Sequence, residues 1–217
     1  MAREPPRYIV VEGPIGVGKT TLARRLGETF RTDLLLESAD DNPFLPRFYR
    51  DPRSAALPTQ LHFLFQRARQ LEELRQHDLF RPAHVADFLI QKDRLFAGVT
   101  LDPDELDLYH QVYNRLRFDV PSPDLVIYLQ APVEVLMSRI VARGVDYERL
   151  IDEQYLLRIV NAYIEFFYYY NESSLLIVNT EDFNLVDDND DYQLLLQRIL
   201  GLSHGRHFFN PQQLRLT

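Results

Sequence analysis

"VEGPIGVGKTTLARRL", residues Val11–Leu26, decides the fold. Gly13, Gly16, Gly18, Lys19 and Thr20 fit the spacing G-x-x-x-x-G-K-[ST]. Before them "YIVVEG", from Tyr8, is a continuous apolar run of the kind a strand buried on both faces carries, and a helical pattern, Thr20–Phe30, follows. Strand, glycine loop and helix form the setting in which this motif grips phosphate: glycines let backbone N–H groups point inward, Lys19 neutralises β/γ oxygens, and the Thr20 hydroxyl is a candidate Mg²⁺ ligand. Val17 and Thr21 complete the expected donor-binding set. The alternative is a glycine turn that merely joins strand to helix.

Outward from this loop the apolar character recurs in "LLLE" (Leu34–Glu37), "HVADFLI" (His84–Ile90), "LVIYLQ" (Leu125–Gln130) and "SLLIVNT" (Ser174–Thr180). Helical patterns lie between these runs: Ser54–His77, Pro103–Leu116, Val133–Arg143 and Glu153–Tyr170, with a last helix near Asp191–Leu200. The alternation predicts an α/β fold: a five-stranded parallel sheet with helices on both faces and ligands at the carboxyl ends of the strands. The tail "SHGRHFFNPQQLRLT" carries no clear pattern and reads as packing or fraying.

With 217 residues, no Gly/Ser linker and no internal repeat, one domain over 1–217 is the expectation. The composition, 46% hydrophobic and 26% charged, is that of an ordinary globular protein. A formal net charge of −8 argues against a broad nucleic-acid surface, so a small acceptor is favoured over a polymer. The absence of cysteine excludes a disulfide framework, a thiol nucleophile and a Cys-ligated zinc. No apolar stretch approaches the roughly 18 residues of a membrane span, and "MAREPPR" has no signal-peptide core, so a cytoplasmic protein is expected.

A phosphate grip leaves the acceptor open. A GTPase would need an Asn-Lys-x-Asp element, which is absent, and large motor ATPases bring domains for which this chain has no room. Glu37, at the end of the second strand, is suited to take a proton from an attacking hydroxyl, although a capping or solvated carboxylate fits equally. Gln60 and Arg67, two helical turns apart with Phe63 and Leu64 between them, can read a base edge or form a polar stripe. Asp87 ends the third strand and can hold Mg²⁺; Asp93 can accept from a base and pair with Arg67. The blander readings are a surface turn for Asp87 and a helix cap for Asp93. Arg139 and Arg143, at i and i+4, can converge on transferred phosphate or simply face solvent.

In register, these stretches resemble the deoxynucleoside kinase family: "VEGPIGVGKTTL", "LLLE…NPFL…FY", the "Q…R" helix, "DFLIQKDRLFA", "PDLVIYL" and "RI…RG…YE" stand in the family's order and near its spacing over most of residues 8–180. The resemblance implies a P-loop kinase fold and transfer of phosphate from ATP, with Mg²⁺, to the 5′-hydroxyl of a deoxyribonucleoside; Gln60, Arg67 and Asp93 are compatible with adenine, guanine or cytosine, and the resemblance to the family's bacterial branch favours purines, deoxyadenosine above all. It implies that Glu37 is the general base, that Gln60 and Asp93 read the base, that Arg67 supports Asp93, and that Phe96 and Phe63 wall the pocket. Tyr49 and Glu148 would hold the 3′-hydroxyl. Lys19, Thr20 and Asp87 would manage phosphates and metal, and Arg139 and Arg143 would belong to a lid over residues 139–152. A homodimer is the family's habit, to which "YIEFFYYY" could contribute, although that helix is expected to bury most of its rings.

Two positions depart from the pattern. Many members carry Arg directly after the strand-end acid, where this chain has Phe88, and the lid's further Arg is Val145 here; in the bacterial branch that the chain resembles an aromatic residue at the Phe88 position is ordinary, so Val145 is the pointed departure. Lys92, Arg94 and Arg149 are the candidates to compensate. The competing readings are a thymidylate-type monophosphate kinase, whose extra Asp-Arg cation Phe88 removes, and a regulatory nucleotide binder with little turnover, motivated by Val145.

Overall fold

Strand β1 (Tyr8–Glu12) is buried along its whole length, as its apolar run requires, and it lies in the middle of the sheet. The computed structural model describes residues 6–77, 84–116, 121–183 and 188–210. Six strands, β1, β2 (Asp33–Leu35), β3 (His84–Ala86), β4 (Leu125–Gln130), β5 (Ser174–Asn179) and β6 (Arg206–Phe209), run parallel in the order β2-β3-β1-β4-β5-β6. Sequence order reverses at β1, which opens the crevice where ligands collect in sheets of this kind.

The helices are α1 (Lys19–Phe30), α2 (Leu45–Arg50), α3 (Pro52–His77), α4 (Lys92–Thr100), α5 (Pro103–Arg115), α6 (Val133–Arg143), α7 (Glu153–Tyr169) and α8 (Asn189–Leu200). The five predicted strands and the longer helices are all present, their ends moved by a few residues. Two differences have physical causes. β6 lies in the stretch read as fraying: "RHFF" pairs with β5 at a sheet edge and buries only Phe209, against Phe183, so it carries no continuous apolar run. Residues 211–217 of that tail lie outside the described residues. Second, β2 and β3 stop short of Glu37 and Asp87, because the ladder gives way to a side chain: after Asp87 N–H bonds Leu35 O at 3.1 Å, the Asp87 carboxylate takes the N–H of Glu37 at 2.7 Å.

The long α3 tolerates Pro58 because the carbonyl that Pro58 cannot serve has another donor. Ser54 O accepts from the Arg47 guanidinium at 2.7 Å, restoring the bond lost to the ring. An uninterrupted α3 carries Gln60, Phe63 and Arg67 along the mouth of the crevice. Helix α4 packs on α3 and α7, and α2 meets both α3 and the short 3₁₀ turn Asp146–Leu150. In "YIEFFYYY" the rings of Tyr163, Phe167 and Tyr170 are buried, with Phe167 stacked on Tyr128 at 4.3 Å, while Tyr168 and Tyr169 are exposed.

Candidate active site

The glycine loop closes where the motif predicts. A Cβ at Gly13 would lie 2.4 Å from the Leu129 carbonyl oxygen, so no larger residue fits between β1 and β4. Gly18, at φ +100, caps α1 in the left-handed region with open space around it; there the requirement is conformational. Lys19 folds back over the loop and donates to Gly13 O at 2.8 Å and Pro14 O at 3.0 Å. Burial and the neighbouring Lys92 lower its pKa to about 8 against the pull of Glu12, Glu37 and Asp87. Beside the loop opens a cleft of about 720 Å³ lined by Gly16, Val17, Gly18, Lys19, Thr20 and Thr21 on one side and Arg139, Arg143 and the segment Thr180–Phe183 on the other.

Thr20 and Asp87 meet. The hydroxyl donates to Asp87 Oδ2 at 2.5 Å while Oδ1 holds the Glu37 N–H, so one carboxylate ties the phosphate loop to the segment bearing Glu37. The hard oxygen pair, hydroxyl plus carboxylate, fits Mg²⁺, which takes few protein ligands and fills its octahedron with phosphate and water. Among the described residues no group of three or more His, Cys, Asp or Glu could hold a metal without such help.

Glu37 is clamped from α3. Gln66 donates to Ser38 O at 3.1 Å and Gln70 to Leu36 O at 2.7 Å, and between them Arg67 binds the Glu37 carboxylate. The same guanidinium pairs with Asp93 Oδ2 at 2.7 Å, while Asp93 Oδ1 and Arg67 Nε keep unfilled hydrogen-bonding capacity in a buried place. Burial raises the Asp93 pKa against the attraction of Arg67. Burial would raise Glu37 as well, but Arg67, Lys92 and Lys19 outweigh it and bring that carboxyl down to about 2. Glu37 keeps 17% of its side-chain surface open, against 4% for Arg67 and none for Asp93, so the open face of this ion cluster is the Glu37 end.

Gln60 is buried on the same helix face, the Phe63 ring lies 5.1 Å from the Arg67 guanidinium, and Phe96 meets Tyr163 edge to face. Tyr49 on α2 stacks on Tyr147 and lies close enough to Glu148 to feel its charge; burial, the nearby tyrosines and Glu148 raise its pKa. The two lid arginines separate. Arg139 binds the hydroxyl and carbonyl of Thr180, whereas Arg143 pairs with Glu148 at 2.5 Å. The expected lid comprises the end of α6, the Gly144 cap and the Asp146–Leu150 turn, with Val145 at the start of that turn.

Phe88 is buried with Leu64, Leu71, Ile90, Ala97 and Tyr109, facing the core. Of the three candidates to compensate, Arg94 lies over Tyr113 and bonds Asn114, and Arg149 pairs with Asp146 in solvent. Lys92 alone of these reaches Glu37, at 3.2 Å. Sequence reasoning did not find Glu12, whose signal was a carboxylate at the end of a buried strand, or Thr180–Phe183, whose signal was position at a strand's carboxyl end. The clamps Gln66 and Gln70 left no local signal.

The fold and the cleft together define a nucleotide-binding α/β protein of the P-loop class. The model of the deoxynucleoside kinase family matches residues 9–202, and the chain belongs to that family. It is 38% identical over 157 residues to a deoxyguanosine kinase of Bacillus subtilis, covering 72% of this chain and 76% of the relative. It is 30% identical over 207 residues to a deoxyguanosine kinase of Lactobacillus johnsonii, covering 89% and 91%. The fold superposes with a TM-score of 0.78 on a deoxyadenosine kinase from M. mycoides solved with the products dCMP and a flexible dCDP, at 23% identity over 90% of this chain and all of that one. Family membership removes the thymidylate-type reading. No described helix is long and apolar enough to cross a membrane.

Proposed function

We propose that this chain, as a single catalytic unit, transfers the γ-phosphate of ATP to the 5′-hydroxyl of a purine deoxyribonucleoside. The observation that carries this reading is the clamped Glu37, joined by Arg67 to the buried Asp93 and by Asp87 to the phosphate loop. The donor lies in the cleft beside the loop, with Lys19 and the backbone N–H groups on its phosphates, and Thr20 and Asp87 would hold Mg²⁺, which neutralises phosphate charge when bound. The nucleoside enters from α3: Gln60 and Asp93 read the base, Phe63 and Phe96 wall it, and Tyr49 and Glu148 hold the 3′-hydroxyl. The 5′-oxygen forms a bond to the γ-phosphorus, the bond to the β,γ-bridging oxygen breaks, ADP leaves with that electron pair, and the hydroxyl proton passes to Glu37. A carboxylate held near 2 is a weak base, which suits a loose transition state in which positioning and electrostatics outweigh early deprotonation.

The unfilled capacity of Asp93 Oδ1 and Arg67 Nε supports recognition of a base edge that presents a donor and an acceptor, as adenine, guanine and cytosine do; the lean to a purine rests on the relatives. The two relatives described above move the expected base from adenine toward guanine. Cytoplasmic salvage as a homodimer is the accompanying expectation. The test is phosphorylation of the four deoxyribonucleosides and their monophosphates with ATP and Mg²⁺, products separated by chromatography. A purine 5′-monophosphate as main product supports the reading. Activity confined to pyrimidine nucleosides overturns the base assignment, and activity on monophosphates alone, or nucleotide binding without product, overturns the reaction.

A further inference from the structure

The Phe88 ring lies in the core, so the residue directly after Asp87 brings no cation to the acceptor end. Apart from Lys92, the cations around the cleft have their own partners: Lys19, bonded here to loop carbonyls, serves the donor phosphates in the proposed reaction, Arg139 binds Thr180, Arg143 binds Glu148, and Arg67 lies between Glu37 and Asp93.

Lys92 opens α4, five positions beyond Asp87, and the turn between them brings its side chain back between the ends of β1 and β2. That turn is fixed by Glu12: Leu89 N–H donates to Glu12 Oε1 at 2.6 Å, while Gly13 N–H at 3.0 Å and the Tyr163 hydroxyl at 2.9 Å fill Oε2. Glu12 is fully buried and supplied with donors, so Lys92 at 3.8 Å balances its charge without being needed for its hydrogen bonding. The ammonium's close partner is Glu37 Oε2, at 3.2 Å. An ammonium carries three donors, and the side chain is only 3% exposed. Among the described residues one donor has a hydrogen-bond acceptor, which leaves a buried cation with capacity for an anion on the open Glu37 side.

We propose that Lys92 is a catalytic residue: it holds Glu37 by one oxygen and donates to the phosphoryl group in transit. The inference rests on the proposed reaction. A hydroxyl hydrogen-bonded to Glu37 lies roughly 3 Å from that carboxylate, and the phosphorus it attacks is its next neighbour, so an ammonium in contact with Glu37 reaches the transferred oxygens. Charge fixed in a buried site before reaction stabilises the spreading phosphoryl charge with little reorganisation. Lysine meets this as a compact point charge, where an arginine fork would engage two oxygens at once.

The experiment measures kcat, KM and nucleoside dissociation constants for wild type, K92M, K92R and K92A, with circular dichroism on each. K92M is expected to bind nucleoside within severalfold of wild type and to lose about 10²- to 10³-fold in kcat, the cost of removing one preorganised donor. K92R should retain more turnover than K92M, and ethylammonium should restore K92A saturably. Unchanged kcat in K92M, or a loss confined to nucleoside binding, overturns the proposal. If K92M does not fold, K92A decides: saturable rescue upholds the role, and its absence overturns it by leaving Lys92 as a counter-ion. A wild type that phosphorylates no nucleoside overturns the reaction and this inference with it, whereas an active wild type with an equally active K92M overturns this inference alone.

Discussion

The donor grip and the acceptor clamp are built in opposite ways. The donor grip is almost one stretch of chain: β1, the glycine loop and α1 place Gly13, Gly18, Lys19 and Thr20 through local backbone geometry. In the acceptor clamp Glu37 comes from beyond β2, Arg67 from α3, Asp87 from beyond β3, and Lys92 and Asp93 from α4; Glu37, Arg67, Lys92 and Asp93 pair charge with charge, and Asp87 is held by the Thr20 hydroxyl and the Glu37 N–H. A contiguous site needs conformation, above all at glycine. A dispersed one needs charge balance, because a buried ion deprived of its partner is expensive.

The widest break in this comparison should come at the reacting oxygen. Glu37→Gln keeps the shape but loses the charge that Arg67 and Lys92 bind, so kcat should fall about 10²- to 10⁴-fold while the nucleoside dissociation constant, measured by fluorescence or calorimetry, moves little. An unchanged kcat would remove Glu37 from the chemistry.

Arg67→Met should cost stability as well as activity. It leaves Glu37 and Asp93 facing each other without their shared cation, and the loss should be about 3–5 kcal/mol in denaturant unfolding. A mild effect on unfolding would mean that Lys92 alone balances both carboxylates.

On the donor side Gly18→Ala tests conformation alone, since open space surrounds that position. The left-handed φ of +100 should cost about 1–2 kcal/mol, read as a lower melting temperature and weaker ATP binding with nucleoside affinity unaffected. Equal damage to both ligands would erase the distinction between the two regions.

The smallest change expected is a gain. Val145→Arg adds a cation at the start of the lid turn, beside an Arg143 that here pairs with Glu148. The chemical rate should rise severalfold under single-turnover conditions if the lid is short of charge, and no change would mean that another residue already occupies that place.

Sequence alone determined the parallel α/β sheet, the phosphate loop and the family, because continuous apolar strands, helical periodicity and a glycine-spaced motif are local patterns with local causes. It also brought Glu37, Gln60, Arg67, Asp87 and Asp93 forward as candidates. Tertiary structure decided how they meet. It set Arg67 between Glu37 and Asp93, bound Thr20 to Asp87, turned Phe88 into the core and brought Lys92 to Glu37. It also added β6, an edge strand whose stabilising hydrogen bonds come from β5 and leave little mark on its own four residues. Contacts between distant segments depend on how far each strand runs before its ladder ends and on which charge neutralises which. Those are properties of the folded chain's geometry and burial, and spacing along the sequence does not encode them.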